Sequence, residues 1–228
     1  MSGGGVLYVY AITDSFSGSV AAGLQGAPLR TIERGPVQAV VSEHAVAPEP
    51  GEDLLWVHER VVEELMEGST ILPMRFGSTV EGTEALIAML EQRREEFVAS
   101  LERVRAAVEL SVRAQLPSLA EPAAADEPQL TGQAGPGTTY LLERARQQRR
   151  VEDAAELIHR PLAALARRSI QKAGGGDPGA FKAAYLVDEV AVEGFVERVE
   201  KLNATLGDIR VSCTGPWPPY SFVAEEPG

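Results

Sequence analysis

Apolar residues recur along this chain with two alternating periods, and the order of those periods is its strongest constraint on fold. Val6 to Ile12 is a continuous run rich in Val, Tyr and Ile, which reads as a buried strand. Two further β-rich runs flank Arg34-Gly35-Pro36 in LRTIERGPVQAVVSEH and predict a hairpin, because glycine accepts positive φ in a tight turn. After the breaker APEPGED, Leu54, Val57 or His58, Val61 and Leu65 fall on one face of a helix. Glu52 and Asp53 suit its N-terminal dipole, and Gly68 ends it. STILPMRFGSTV then returns as a strand. Strand, hairpin, helix, strand is a two-layer α+β pattern.

The second half repeats this alternation. Leu86, Leu90, Phe97, Leu101 and Val104 form one stripe and predict a single helix over 84–105. Val108, Leu110 and Val112 alternate as in a half-exposed strand. Residues 115–137 are rich in Pro, Ala and Gly and read as a linker. A long helix follows from Thr138 or Thr139, with Tyr140, Val151, Ala155, Ile158, Leu162 and Leu165 on its buried side, kinked or divided by Pro161 and ended by AGGGDPG. The remainder reads as strand Phe181–Val187, helix Val192–Leu206 and strand Asp208–Thr214. The expected architecture is α+β in two domains: residues 1–78, and residues 79–228 as a modified ferredoxin-like fold carrying the linker and long helix as an insertion.

Composition narrows the function. With 228 residues, 44% hydrophobic and 24% charged, the chain can bury a sizeable core. A net charge of −12 argues against nucleic acid and against an anionic membrane surface. The N-terminus lacks the basic region of a signal peptide, and its apolar run is too short to span a bilayer. A single cysteine makes no internal disulfide and fits a reducing cytoplasm.

No set of residues converges on catalysis. Gly174 to Gly179 matches a dinucleotide-binding spacing, but with a helix before it and a strand after it, the reverse of what pyrophosphate binding needs. His58-Glu59 begins like a zinc motif, but Val62 stands where the second histidine belongs, and His44 and His159 are isolated in sequence. Cys213 ends an apolar strand and reads as a small hydrophobe. Glu63-Glu64 and Glu95-Glu96 read as solvated helix faces. The expectation is no enzyme activity, no cofactor and no metal.

Two stretches resist a purely structural account. In LPMRFG, strand alternation places Met74 and Phe76 on one face and Arg75 on the other, where its stem covers apolar surface on an edge strand or its guanidinium clamps a partner's carboxylate. In CTGPWPPYSFV, Trp217, Pro218, Pro219, Tyr220 and Phe222 concentrate aromatic surface near a C-terminus. Prolines hold such a segment extended. Its rings then either pack back, Trp217 and Tyr220 as a lid with Phe222 contributing less, or present a preorganised platform to an apolar partner.

LYVYAIT, ILPMRFGSTV, YLLERARQQR, FKAAYLVD and CTGPWPPYSFV occur in this order. Together they resemble the gas vesicle protein F/L family over most of the chain apart from the linker and termini. The resemblance implies two α+β domains, the second ferredoxin-like. It implies an accessory or minor component of the gas vesicle. The implied partners are the small hydrophobic shell protein and other accessory proteins, in the cytoplasm and on the vesicle, with some members on its gas-facing side. Arg75, Phe76, Trp217, Pro218, Pro219, Tyr220 and Phe222 are the candidate partner-binding or motif residues. The competing reading is a ferredoxin-like small-molecule sensor or regulatory domain, which rests on fold analogy.

Overall fold

The computed structural model describes residues 5–16, 22–115, 145, 149, 152–153, 155–172, 180–207 and 209–223. Among the described residues the protein is mixed α+β with two sheets. It divides into two compact units, residues 1–109 with 216–228, and residues 110–215. The boundary expected after residue 78 therefore lies inside the first unit.

The first unit contains β1 (Val6–Thr13), β2 (Leu29–Arg34), β3 (Val37–His44), α1 (Glu52–Gly68), β4 (Ile71–Pro73), β5 (Thr79–Glu81), α2 (Gly82–Gln92) and α3 (Arg94–Val104). Its sheet has the order β2-β3-β1-β4, with β5 also pairing β1. The hairpin forms as expected, with Arg34 opposite Val37 and Gly35 at φ +63°.

β1 is the central strand, buried on both sides from Leu7 onward. A bulge at Tyr10 shifts its register, since Val9 pairs with Val41 and Ala11 with Val40. Tyr8, Tyr10 and Ala11 consequently all join the core with Val40, Leu24, Val61, Val62 and Leu65. Leu7, Val9 and Ile12 are equally buried and alternate to the other face of the sheet. α2 packs against β2 and β5, and α3 against β3 and β4.

Two expectations change here. The stripe over 84–105 is buried as predicted, but on two helices. Arg93 breaks them at φ −104°, ψ 15°. Its guanidinium is bidentate to Glu96, at 2.9 and 2.8 Å, and lies 4.8 Å from the Phe97 ring centroid. No glycine or proline marks this break, so composition conceals it. LPMRFG is not a strand throughout, because β4 ends at Pro73 and a turn follows. Gly77 adopts φ +88° within it, a conformation that costs other residues ~1–2 kcal/mol.

The second unit contains most of β6 (Ala107–Gln115), a helix α4 over described residues 155–163, β7 (Arg168–Lys172), β8 (Ala180–Asp188), α5 (Val192–Thr205) and most of β9 (Arg210–Trp217). The sheet order is β7-β8-β6-β9. Leu110, Val112, Ala114, Phe181, Ala183, Tyr185, Val187 and Val211 share one core with Ile158 and Leu162 of α4 and Phe195, Val199 and Leu202 of α5. Both helices therefore cover one sheet face. α4 contributes Ile158 and Leu162 to this core.

α4 runs through Pro161 and ends at 163, so Leu165 lies beyond it and is exposed. β7 takes the place of the expected helix end. RSIQK carries one apolar residue, too little for periodicity to separate an edge strand from a helix. Residues 116–137, Thr138 to Tyr140, Val151 and Gly174 to Gly179 lie outside the described residues.

Candidate functional site

The C-terminal segment belongs to the first unit. β9 ends at Trp217, Pro218 and Pro219 are buried, and a 3-10 turn follows over Tyr220–Phe222. The turn closes through the Phe222 N–H to the Pro219 carbonyl at 3.0 Å. Tyr220 packs against the cluster containing Tyr8, Tyr10, Val61 and Leu65, and Phe76 packs against that same cluster. Two sequence motifs about 145 residues apart thus meet in one core.

His58 lies at the centre and is completely buried. It sits on α1 at the position of the apolar stripe that the sequence left open between Val57 and His58. Nε2 is 3.1 Å from the Met74 carbonyl oxygen, which only accepts, so Nε2 carries the proton. Nδ1 then accepts from the Tyr8 hydroxyl at 3.0 Å. Tyr8 in turn accepts from the Gly77 N–H at 2.9 Å. The backbone of LPMRFG is thereby bound to β1 and α1 through one imidazole and one phenol.

Burial pushes the His58 pKa down to about 4 and that of Tyr8 up to about 12. The Phe76 ring meets His58 edge-on at 5.7 Å, while Tyr10 stacks over it at 5.8 Å. Tyr10 donates or accepts with Ser42 Oγ at 2.8 Å and accepts from the Leu24 N–H at 2.7 Å.

Two contacts fasten the C-terminal turn. The Tyr220 hydroxyl is 3.3 Å from His58 Nε2 and 3.4 Å from both carboxylate oxygens of Glu59. Burial raises the pKa of Glu59, and that of Tyr220 rises through burial and the nearby Glu59 charge. The shorter contact is to Glu109 on β6, which is buried and accepts from the Ser221 N–H at 2.8 Å and the Ser221 hydroxyl at 2.7 Å.

The candidate residues separate into two groups. Phe76, Pro218, Pro219, Tyr220 and Phe222 are packing residues, Phe222 being only 4% exposed. Arg75 is exposed in the turn after β4, and Trp217 remains 42% exposed. The expected lid is therefore formed by Tyr220 and Phe222. β9 ends at Trp217 and burial begins at Pro218, one residue beyond it.

Sequence reasoning missed His58 and Tyr8 as hydrogen-bonding hubs, and Glu109 as an anchor. The available signals were a histidine within a helix's apolar stripe and a carboxylate between Val108 and Leu110 in a buried strand. His58 has both nitrogens engaged, and among the described residues no cluster of three His, Cys, Asp or Glu side chains could hold a metal ion. Cys213 packs against the core of the second unit, where burial raises its pKa.

The fold and site define a class of α+β protein whose aromatic C-terminal segment completes an N-terminal core. Its membership is specific. Residues 6–224 match the family described as gas vesicle synthesis protein GvpL/GvpF, and the chain belongs to that family. It is 33% identical to gas vesicle protein F of Streptomyces sp. (strain CB03234), over 95% of this chain and 98% of that protein. It is 32% identical to gas vesicle protein L of the same strain, over 96% and 94%. The crystal structure of GvpF from Anabaena sp. PCC7120 has the same fold, with a TM-score of 0.86 at 22% identity over 97% of this chain and 99% of that one. GvpF from Microcystis aeruginosa superposes with a TM-score of 0.79 at 20% identity, over 96% and 99%. The protein accordingly has a gas-vesicle-related role. Among the described residues no helix is long and apolar enough to cross a membrane.

Proposed function

We propose that this protein is an accessory or minor structural component that assists assembly of the gas vesicle shell. It acts by binding the small hydrophobic shell protein and other accessory proteins, without catalysis. It works in the cytoplasm and at the vesicle, on the gas-facing side of the shell. One observation carries this reading: Trp217 is held 42% exposed while the two residues that follow it, Pro218 and Pro219, are buried. A large ring fixed by its neighbours binds at low ordering cost, and tryptophan is enriched among residues that dominate interfaces. Arg75 supplies a second contact, its fork of donors suited to a carboxylate. Phe76, Tyr220 and Phe222 hold these two in place from within the core.

The second unit is read as a modified ferredoxin-like domain. Its element order β6-α4-β7-β8-α5-β9 and strand order β7-β8-β6-β9 support that reading. Here the unit serves as a scaffold.

Co-purification tests the proposal. Tagged protein should retain the small shell protein from cells making gas vesicles. Trp217→Ala and Arg75→Ala should reduce recovery several-fold while melting within a few degrees of wild type. Recovery of a bound metabolite without shell protein would overturn the assembly reading.

A further inference from the structure

Trp56 is placed where a soluble helix has least use for it. The buried side of α1 is His58, Val61, Val62 and Leu65. At about 100° per residue, Trp56 falls opposite that side, at the middle of the solvent face. It is 65% exposed, and Leu55 at the edge of the same face is 37% exposed. Neither helix propensity nor the core requires an indole at this position.

Its surroundings are as unusual as the ring. The helical neighbours of Trp56 at three, four and seven positions are Glu52, Asp53, Glu59, Arg60 and Glu63. Arg60 is directed elsewhere, to Glu64 at 3.9 Å and to the Ala22 carbonyl at 3.3 Å. Glu59 is turned to the Tyr220 hydroxyl, 3.4 Å away, so an exposed indole flanked by Glu52, Asp53 and Glu63 forms a ridge roughly 16 Å long at the helical rise.

We infer that this face of α1 docks a basic amphipathic helix of a partner protein. That helix lays an apolar stripe on Trp56 and Leu55, and its flanking Lys or Arg side chains reach Glu52, Asp53 and Glu63. Charge selects this occupant. A second copy of the chain would bring acidic rim against acidic rim, which costs free energy. An anionic membrane would repel the same carboxylates. A helix offers side chains at the matching spacing of three and four residues, so its ridges fit along α1.

The test uses a fluorescently labelled 18-residue Leu/Lys amphipathic helix and its Leu/Glu counterpart, with the full-length protein. The wild type should bind the Leu/Lys peptide at least tenfold more tightly than the Leu/Glu peptide. Added salt should weaken that binding, because the pairing charges are solvent-exposed. Trp56→Ala keeps every charge, and it should lose at least tenfold in affinity while melting within a few degrees of wild type. Trp217→Ala should bind the peptide as the wild type does. Undiminished binding by Trp56→Ala, or equal binding of the two peptides, overturns the proposal. Self-association of the wild type that Trp56→Ala abolishes also overturns it, since the face would then be homotypic. The assay contains no vesicle component, so its failure leaves the assembly reading intact.

Discussion

Ser221 donates both its backbone N–H, at 2.8 Å, and its hydroxyl, at 2.7 Å, to the buried carboxylate of Glu109, 112 residues earlier in the chain. A carboxylate withdrawn from water needs such donors, and among the described residues these are its hydrogen bonds. The C-terminal turn is therefore held by a charge-assisted pair as well as by apolar packing.

Ser221→Ala removes one of the two bonds and should destabilise the protein by about 1.5–3 kcal/mol, the usual range for a hydrogen bond to a charged group. Glu109→Gln should cost a similar amount, because its amide offers one acceptor oxygen where the carboxylate offered two. Denaturant unfolding of the single and double variants should show coupling between the sites. Additive losses would mean that the two residues do not act together.

Phe222→Ala should cost about 3–5 kcal/mol, as other large aromatic deletions in cores do. Trp217→Ala should cost only about 1 kcal/mol, because much of its ring is already in water. Tyr220→Phe keeps the ring and loses hydroxyl contacts of 3.3–3.4 Å, so its cost should be at most about 1 kcal/mol. Melting curves on the three variants check the order. A larger loss for Trp217→Ala than for Phe222→Ala would contradict the packing described here.

Acid should destabilise the first unit through His58. Its folded pKa of about 4 lies below its ordinary value of 6.5, so the unfolded chain takes up the proton first as pH falls. The stability associated with neutral His58 is fully present above pH 6.5 and is lost progressively down to about pH 4. At 1.36 kcal/mol per unit the loss is about 3 kcal/mol. His58→Gln should show a correspondingly flatter stability profile between pH 6.5 and 4. Parallel profiles for the two proteins would show that His58 does not carry this dependence.

Cys213 should react slowly with alkylating reagents near neutral pH, because burial raises its pKa and keeps the thiolate scarce. Cys213→Ala should still support vesicle formation. Rapid labelling together with loss of vesicles in that variant would give the thiol a functional role.

Long periodic elements are legible in the sequence. β1, the hairpin at Gly35, α1 and α5 lie within one or two residues of where period and breakers placed them, because each buries a continuous face and the repeat records it. The division at Arg93 was hidden, since a side chain pairing with Glu96 and stacking on Phe97 makes the break without altering the apolar stripe. β7 was hidden because an edge strand with one apolar residue leaves almost no periodic signal. Within the candidate site, Phe76, Trp217, Tyr220 and Phe222 stood out by residue type, whereas His58 and Glu109 looked like ordinary members of a helix and a strand.

The sequence by itself determined the α+β class, the alternation of strands and helices, and the family, because periodicity, turn residues and local motifs are written along the chain. The tertiary structure alone decided which aromatics are core and which face water, and it joined LPMRFG to the C-terminal turn through Tyr8, His58 and Tyr220. It also returned the last residues to the first unit and placed the unit boundary within β6 and β9. These are long-range facts. Hydrogen bonds spanning 50 to 162 positions leave no periodic trace, and a buried carboxylate differs from a solvated one only by the neighbours that folding supplies.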